Sequence, residues 1–328
     1  MPGTDPAEAM RIVAGELPSF PHLPELPDRG PGADLTGRTA ALLVDMPAEV
    51  TVRGWRLAER PGRDMTRAKA MLSADLDVLE EVLQGYAGPV KIQVCGPWTL
   101  AATLELTRRM DAALADPGAV QDLAASLAEG AAAHARAVAR RVPKARVLVQ
   151  FDEPALARVA HGAVPTASGI SRLPAVAEET LRERLATVLS NNPGYTIVHC
   201  CDTAMPFGII RGAGASAVSF DLSQLRRGEE DAVGEAAEAG MGLLVGAVPP
   251  VHGEDGVTAQ AGGIEAARRV TRLWRGLGLP PDVSQVVVTP GCGLAGATPG
   301  WARAALARCR EAAAILPEMI AETEDDRG

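Results

Sequence analysis

The sequence predicts an α/β barrel of the TIM type, (β/α)8, built as a single domain over residues 1–328. Three observations predict it. Short apolar, β-type runs alternate with Ala/Leu/Arg-rich helical stretches, the pattern of parallel strands joined by crossover helices. The length, 328 residues, is ordinary for such a barrel. Thiol, imidazole and carboxylate side chains stand just after several of the strand-like runs, at the end of a barrel that carries its chemistry. No Gly-x-Gly-x-x-Gly follows the first strand-like run, which disfavours a dinucleotide-binding fold.

Taken in order, residues 1–35 are rich in Pro and Gly. Asp5 as N-cap with Pro6 behind it opens a helix over 5–16. An extended loop follows, because each proline turns its predecessor away from helical geometry. Strand-like runs are predicted at 39–45, 90–94, 147–151, 195–199, 217–221, 242–248 and 285–289. The clearest helices are predicted at 116–141, 175–189, 264–277 and 298–324. Seven strands are one fewer than a closed barrel requires: either the deficit is real or the first strand is missing from the start. The charged tail, Glu322-Thr-Glu-Asp-Asp-Arg-Gly328, is expected to fray.

Composition narrows the function classes. Hydrophobic residues make up 47% of the chain and aromatics only 3%, so the core must be Ala, Val and Leu. A formal net charge of -9 argues against a nucleic-acid partner. No apolar stretch is long enough to span a bilayer, and the first residues have no signal-peptide pattern, so a cytoplasmic location is expected. Five cysteines, an odd number without an export signal, do not read as a disulfide framework. Cys309 and Cys95 read as packing residues.

The chemistry-bearing candidates lie at the strand ends. His199 and Cys201 are two apart, so both side chains leave one face of the strand, with Cys200 turned to the other. Cys292 sits between glycines in Pro290-Gly-Cys-Gly293, where small residues allow close backbone approach or positive φ. Asp221 ends another strand and either ligates a metal or caps the next helix. One imidazole, two thiolates and one carboxylate form a zinc shell, with Zn2+ as the expected cofactor. Asp152 and Glu153 are adjacent carboxylates facing opposite sides: one meets substrate, suiting an ammonium, and the other binds backbone or a basic side chain. His252 follows a strand and reads either as a proton shuttle or as a solvated loop residue.

Five segments together resemble the catalytic C-terminal domain of cobalamin-independent methionine synthase. They are Gly96-Pro-Trp-Thr99, Gln150-Phe-Asp-Glu-Pro-Ala-Leu156, His199-Cys-Cys201, Val218-Ser-Phe-Asp221 and Pro290-Gly-Cys-Gly-Leu294. The family's barrel is similar to that of the uroporphyrinogen decarboxylase superfamily. The resemblance implies that His199, Cys201 and Cys292 are zinc ligands, that Asp152 holds the amino group of homocysteine, and that His252 falls near a proton-donating histidine. Asp221 stands where the family carries a glutamate ligand. Thr103 replaces a family tryptophan and Arg158 a family glutamate, both on the folate side of the site. The chain thus looks like the short "core" forms that resemble only the C-terminal half and take methyl from a methylated corrinoid or corrinoid protein. The family also opens its barrel with a strand ending in Gly-Ser, which implies that strand one lies ahead of Met1.

The expected function is zinc-dependent methyl transfer to a thiol, with homocysteine as acceptor and methionine as product. The competing expectations are methylation of another small thiol, a decarboxylase of the same superfamily, and a catalytically inactive thiol- or corrinoid-binding remnant.

Overall fold

A computed structural model describes residues 1–108, 110–192, 194–252 and 262–325. Its elements are α1 (Pro6–Glu16), α2 (Leu35–Ala40), β1 (Ala48–Thr51), β2 (Gly54–Leu57), α3 (Arg63–Val82), β3 (Pro89–Cys95), α4 (Pro97–Thr103) and α5 (Pro117–Arg141). They continue with β4 (Arg146–Asp152), α6 (Leu156–Ala160), α7 (Glu178–Asn191), β5 (Tyr195–Cys200), α8 (Phe207–Gly212), β6 (Ala217–Asp221) and α9 (Glu230–Glu238). The last are β7 (Gly242–Val248), α10 (Gly263–Gly276), β8 (Val286–Pro290) and α11 (Pro299–Asp325).

Six strands form one parallel sheet in the order β3-β4-β5-β6-β7-β8. Alternation divides the side chains between its two faces. Val149, Val198, Val218 and Val245 point outward into the large core shared with the helices. Leu148, Ile197, Ala217 and Leu244 point inward and form a small second cluster, floored by Phe20 and Val287. A sheet curled around its own inner cluster with helices outside is a partial barrel. Among the described residues no helix is long and apolar enough to cross a membrane.

The sequence predicted the first helix and its cap: the Asp5 carboxylate accepts hydrogen bonds from the Ala7 and Glu8 N–H groups. Six of the seven predicted strands appear, each within one residue of its expected limits. The strand predicted over 39–45 does not form. Asp34 instead caps a helix there, accepting from the Gly37 N–H at 2.9 Å. A short continuous apolar run carries no period that separates a strand from a buried helix, so the cap decided the outcome. The β1–β2 hairpin, antiparallel from Ala48↔Leu57 to Thr51↔Gly54, was not foreseen.

The full eight-stranded ring is not present among the described residues. At the β3 edge the N-terminal loop supplies one parallel bridge, His22 to Lys91. Lys91 N–H donates to the Pro21 carbonyl at 3.0 Å, and Leu23 N–H to the Lys91 carbonyl at 2.9 Å. β8 pairs with β7 alone. A cavity of about 660 Å³ has walls on both sides of this opening, including Phe20 and His22 on one and Val287 and Thr289 on the other.

Buried charges tie the N-terminal loop to the helices. Asp75 of α3, 3% exposed, accepts two hydrogen bonds from Arg29 at 2.7 and 2.8 Å and one from Arg38 of α2 at 2.8 Å. Removing one partner strands the other charges in the interior, so Asp75→Asn is expected to cost about 3–5 kcal/mol. Urea unfolding of the two proteins measures it; a loss below about 1 kcal/mol would contradict this account.

Candidate metal centre

Strand periodicity builds the first half of the centre. His199 is the last but one residue of β5 and Cys201 the first beyond it, so both face the inside of the sheet. Cys200 between them is 1% exposed and packs in the outer core. The second half arrives on the loop after β8. A Cβ at Gly291 would lie 2.7 Å from the Asp221 carboxylate, and one at Gly246 would lie 2.6 Å from Gly291 Cα. Two glycines thus let the β8 loop settle on the ends of β6 and β7. Their role is close approach, since neither has positive φ.

The result is a group of three donors. Side-chain atoms of His199, Cys201 and Cys292 all lie within 4.8 Å of one another. The two sulfurs are 3.4 Å apart, close enough to share one proton. That proton and the neighbouring His199 favour the Cys292 thiolate, whose pKa falls to about 4, while the same pairing with Cys292 raises that of Cys201. Burial works against the His199 imidazolium, but its hydrogen bond to Cys292 and the charge of Asp152 outweigh it, leaving a pKa above the ordinary histidine value. A site that arranges one imidazole and two sulfurs so closely suits a soft or borderline divalent cation, and zinc fits the donor set.

Ser219 completes the histidine's surroundings. Its hydroxyl lies 2.9 Å from His199 Nδ1 and sets the orientation of the ring. Sequence reasoning missed it, although a signal existed: Ser219 is a polar residue on the inward face of an otherwise apolar strand, register partner of His199. The same signal marks Lys91, Gln93 and Gln150, all inside the cavity and none singled out before.

The other candidates divide. Asp221 is outside the three-donor group; its Oδ1 accepts from the Ser223 N–H at 2.8 Å and the Ser223 hydroxyl at 2.7 Å. It also lies outside the cavity lining. Its carboxylate is committed to the turn that follows β6 and does not cap the next helix, α9, which starts at Glu230. Asp152 lines the cavity, on the rung beside His199. Burial raises its pKa, against the pull of His199 and Lys91. His252 is exposed and stacks edge-on against Trp301, ring centroids 4.8 Å apart, outside the cavity lining. The chain that follows it, 253–261, falls outside the described residues.

Glu153 does not reach the cavity. It is 0% exposed, and its two oxygens accept from the Trp98 N–H at 2.9 Å and from the Thr99 N–H and hydroxyl at 2.7 Å each. It is the carboxylate that binds backbone, holding the start of α4 against the end of β4. Burial raises its pKa from 4.5 to about 7. Between these two values the unfolded chain has lost the proton and the folded chain keeps it, so this group's contribution to stability falls as pH rises through that window. Glu153→Gln turns an amide NH2 toward N–H and O–H donors. It is expected to cost about 1–3 kcal/mol and to flatten that part of the stability–pH curve. Urea midpoints at pH 5 and pH 8 measure both effects; an unchanged slope would sink the assignment.

Comparison with known proteins can now be set beside this geometry. The model of the family described as "Cobalamin-independent synthase, Catalytic domain" matches residues 49–315. No curated protein matches the chain. Among solved structures, a B12-independent methionine synthase from Shewanella sp. W3-18-1, in complex with selenomethionine, superposes with a TM-score of 0.53 at 14% sequence identity. The match covers 82% of this chain and 72% of that one. At that identity the likeness is one of fold.

Proposed function

Because the chain belongs to the family of cobalamin-independent synthase catalytic domains, we propose that it is a zinc-dependent thiol S-methyltransferase that converts homocysteine to methionine. The observation that carries this reading is the gathering of His199, Cys201 and Cys292 within 4.8 Å, at the wall of a cavity that also holds Asp152. Zinc bound there would keep the substrate sulfur as a thiolate at neutral pH, where a free thiol is mostly protonated.

The chain's own residues do the rest. His199, Cys201 and Cys292 are the residues that would hold the metal, which would supply Lewis acidity toward the substrate sulfur. Ser219 fixes the orientation of the imidazole. Asp152 receives the substrate ammonium, and Gln150 orients it by donating to Oδ1 at 2.6 Å. The donor proposed is a methylated corrinoid, since Thr103 and Arg158 stand in place of the folate-side residues of the larger enzymes. Such a donor needs no proton on its leaving group, which leaves His252 outside the chemical step, in keeping with its position against Trp301.

The test is methyl transfer to homocysteine by zinc-loaded protein, with methylcobalamin and methyltetrahydrofolate as alternative donors. Methionine formed from the first and not the second supports the reading in full. One observation favours a second reading, a thiol- or corrinoid-binding chain without turnover: the sheet stays open between β8 and the loop at His22, beside the centre. Bound zinc with no methionine from either donor would select it.

A further inference from the structure

Two opposite charges inside the cavity have no ionic partner. Lys91 and Asp152 both line it, and among the described residues neither forms an ion pair within 4.0 Å. The ammonium of Lys91 has one hydrogen bond, to Gln93 Oε1 at 3.3 Å. The carboxylate of Asp152 has one, from Gln150 Nε2 at 2.6 Å. A charge shielded from water is ordinarily paired or shifted in protonation. Here burial does lower the Lys91 pKa, while Asp152 and Glu25 pull it back toward the charged form.

The register explains why the two charges face each other without meeting. Asp152 pairs with Cys95 across β3 and β4, and Lys91 pairs with Leu148. Lys91 therefore starts four residues below Asp152, about 13 Å along the strand. Its side chain leans up the strand toward Asp152, where Nζ meets Gln93 Oε1. The rung between them is Gln93↔Gln150, and each glutamine bonds to one of the two charges. Gln93 is itself anchored, donating to the Leu23 carbonyl at 2.6 Å. The gap so held is bounded by a cation below, an anion above, and the sulfur-binding centre on the next strand at His199.

We propose that Lys91 is a specificity-determining residue that receives the α-carboxylate of the substrate, so that the cavity selects zwitterionic amino-acid thiols over thiols without a carboxylate. This rests on the thiol-transfer reading above. An α-amino acid carries its ammonium and carboxylate on one carbon. With its sulfur at the metal and its ammonium at Asp152, its carboxylate points down the β3 wall toward Lys91. Glu25 also lines the cavity and attracts Lys91, but its carboxylate is paired with Arg38 at 3.3 Å.

The test uses protein loaded with Co2+ in place of zinc, whose sulfur-to-cobalt absorption reports thiol binding without turnover. Homocysteine is titrated against 3-aminopropane-1-thiol, the same molecule lacking its carboxylate. The parent protein is expected to prefer homocysteine by about 10-fold or more. Lys91→Met, of similar volume and without charge, is expected to reduce that preference to under about 3-fold while affinity for 3-aminopropane-1-thiol changes little. Lys91→Arg should restore most of it. An equal preference in the parent, or an undiminished preference in Lys91→Met, would overturn the assignment while leaving the thiol site standing. Bound cobalt that responds to neither thiol would overturn both this assignment and the transferase reading. A variant that unfolds is recognised by circular dichroism, and Lys91→Gln then replaces it under the same criteria.

Discussion

Cys292→Ser protein is expected to purify with almost no zinc, and the parent protein with about one ion per molecule. The serine hydroxyl is a hard, weakly acidic donor and does not supply the thiolate charge that the centre uses. The change leaves the fold intact, because Cys292 is exposed on the loop after β8 and belongs to neither apolar cluster. Loss of one of three protein ligands should weaken zinc affinity by at least about 100-fold, more than the cost of a disturbed outer partner. Metal analysis after dialysis measures it directly, and competition with a chelator gives the ratio. Full zinc retention in Cys292→Ser would remove the basis for the metal centre. Cys309→Ser is a suitable contrast, since that thiol lines the same cavity but lies outside the three-donor group and should leave zinc content unchanged.

Asp152→Asn is expected to keep its zinc and lose its substrate. The amide is nearly isosteric with the carboxylate, so Gln150 can still bond to its oxygen, but no charge remains to balance an ammonium. Removing one member of a shielded charge pair costs about 2–5 kcal/mol, which is a loss of about 30-fold or more in kcat/KM for homocysteine. The loss should appear mainly in KM. A thiol without an amino group, such as 3-mercaptopropionate, should be almost indifferent to the same change. Equal losses for both thiols would show that Asp152 supports the cavity wall and does not bind the ammonium. Together with the Lys91 titration, this pair of variants assigns the two ends of the zwitterion separately.

Much of the architecture was legible because it obeys local rules. The helix over Pro6–Glu16 announces itself through Asp5 and Pro6, and β6 and β7 through their apolar runs. The pairing of His199 with Cys201 was legible because a two-residue spacing on a strand end puts side chains on one face. The strand expected over 39–45 failed for the opposite reason: its apolar run is aperiodic, and Asp34 with the Arg38–Asp75 pair holds Leu35–Ala40 as a helix that passes into turns. The hairpin at Ala48–Leu57 gave little signal, because its strands are four residues each and rest on distant groups such as the Glu105 carbonyl.

The sequence by itself determined the alternation of strands and helices, the shared face of His199 and Cys201 and the identity of the sulfur and imidazole donors. These follow from backbone periodicity and side-chain chemistry, which act over a few residues. Only the tertiary structure decided which donors meet. Cys292 reaches Cys201, 91 residues away, because Gly246 and Gly291 let one loop lie on two strand ends. Asp221 is drawn to Ser223 and Glu153 to the backbone of α4, so of these three carboxylates Asp152 alone lines the cavity. The facing charges of Lys91 and Asp152 depend on the register of β3 against β4. Register is set by hydrogen bonds between strands far apart in the chain, and no local rule carries it.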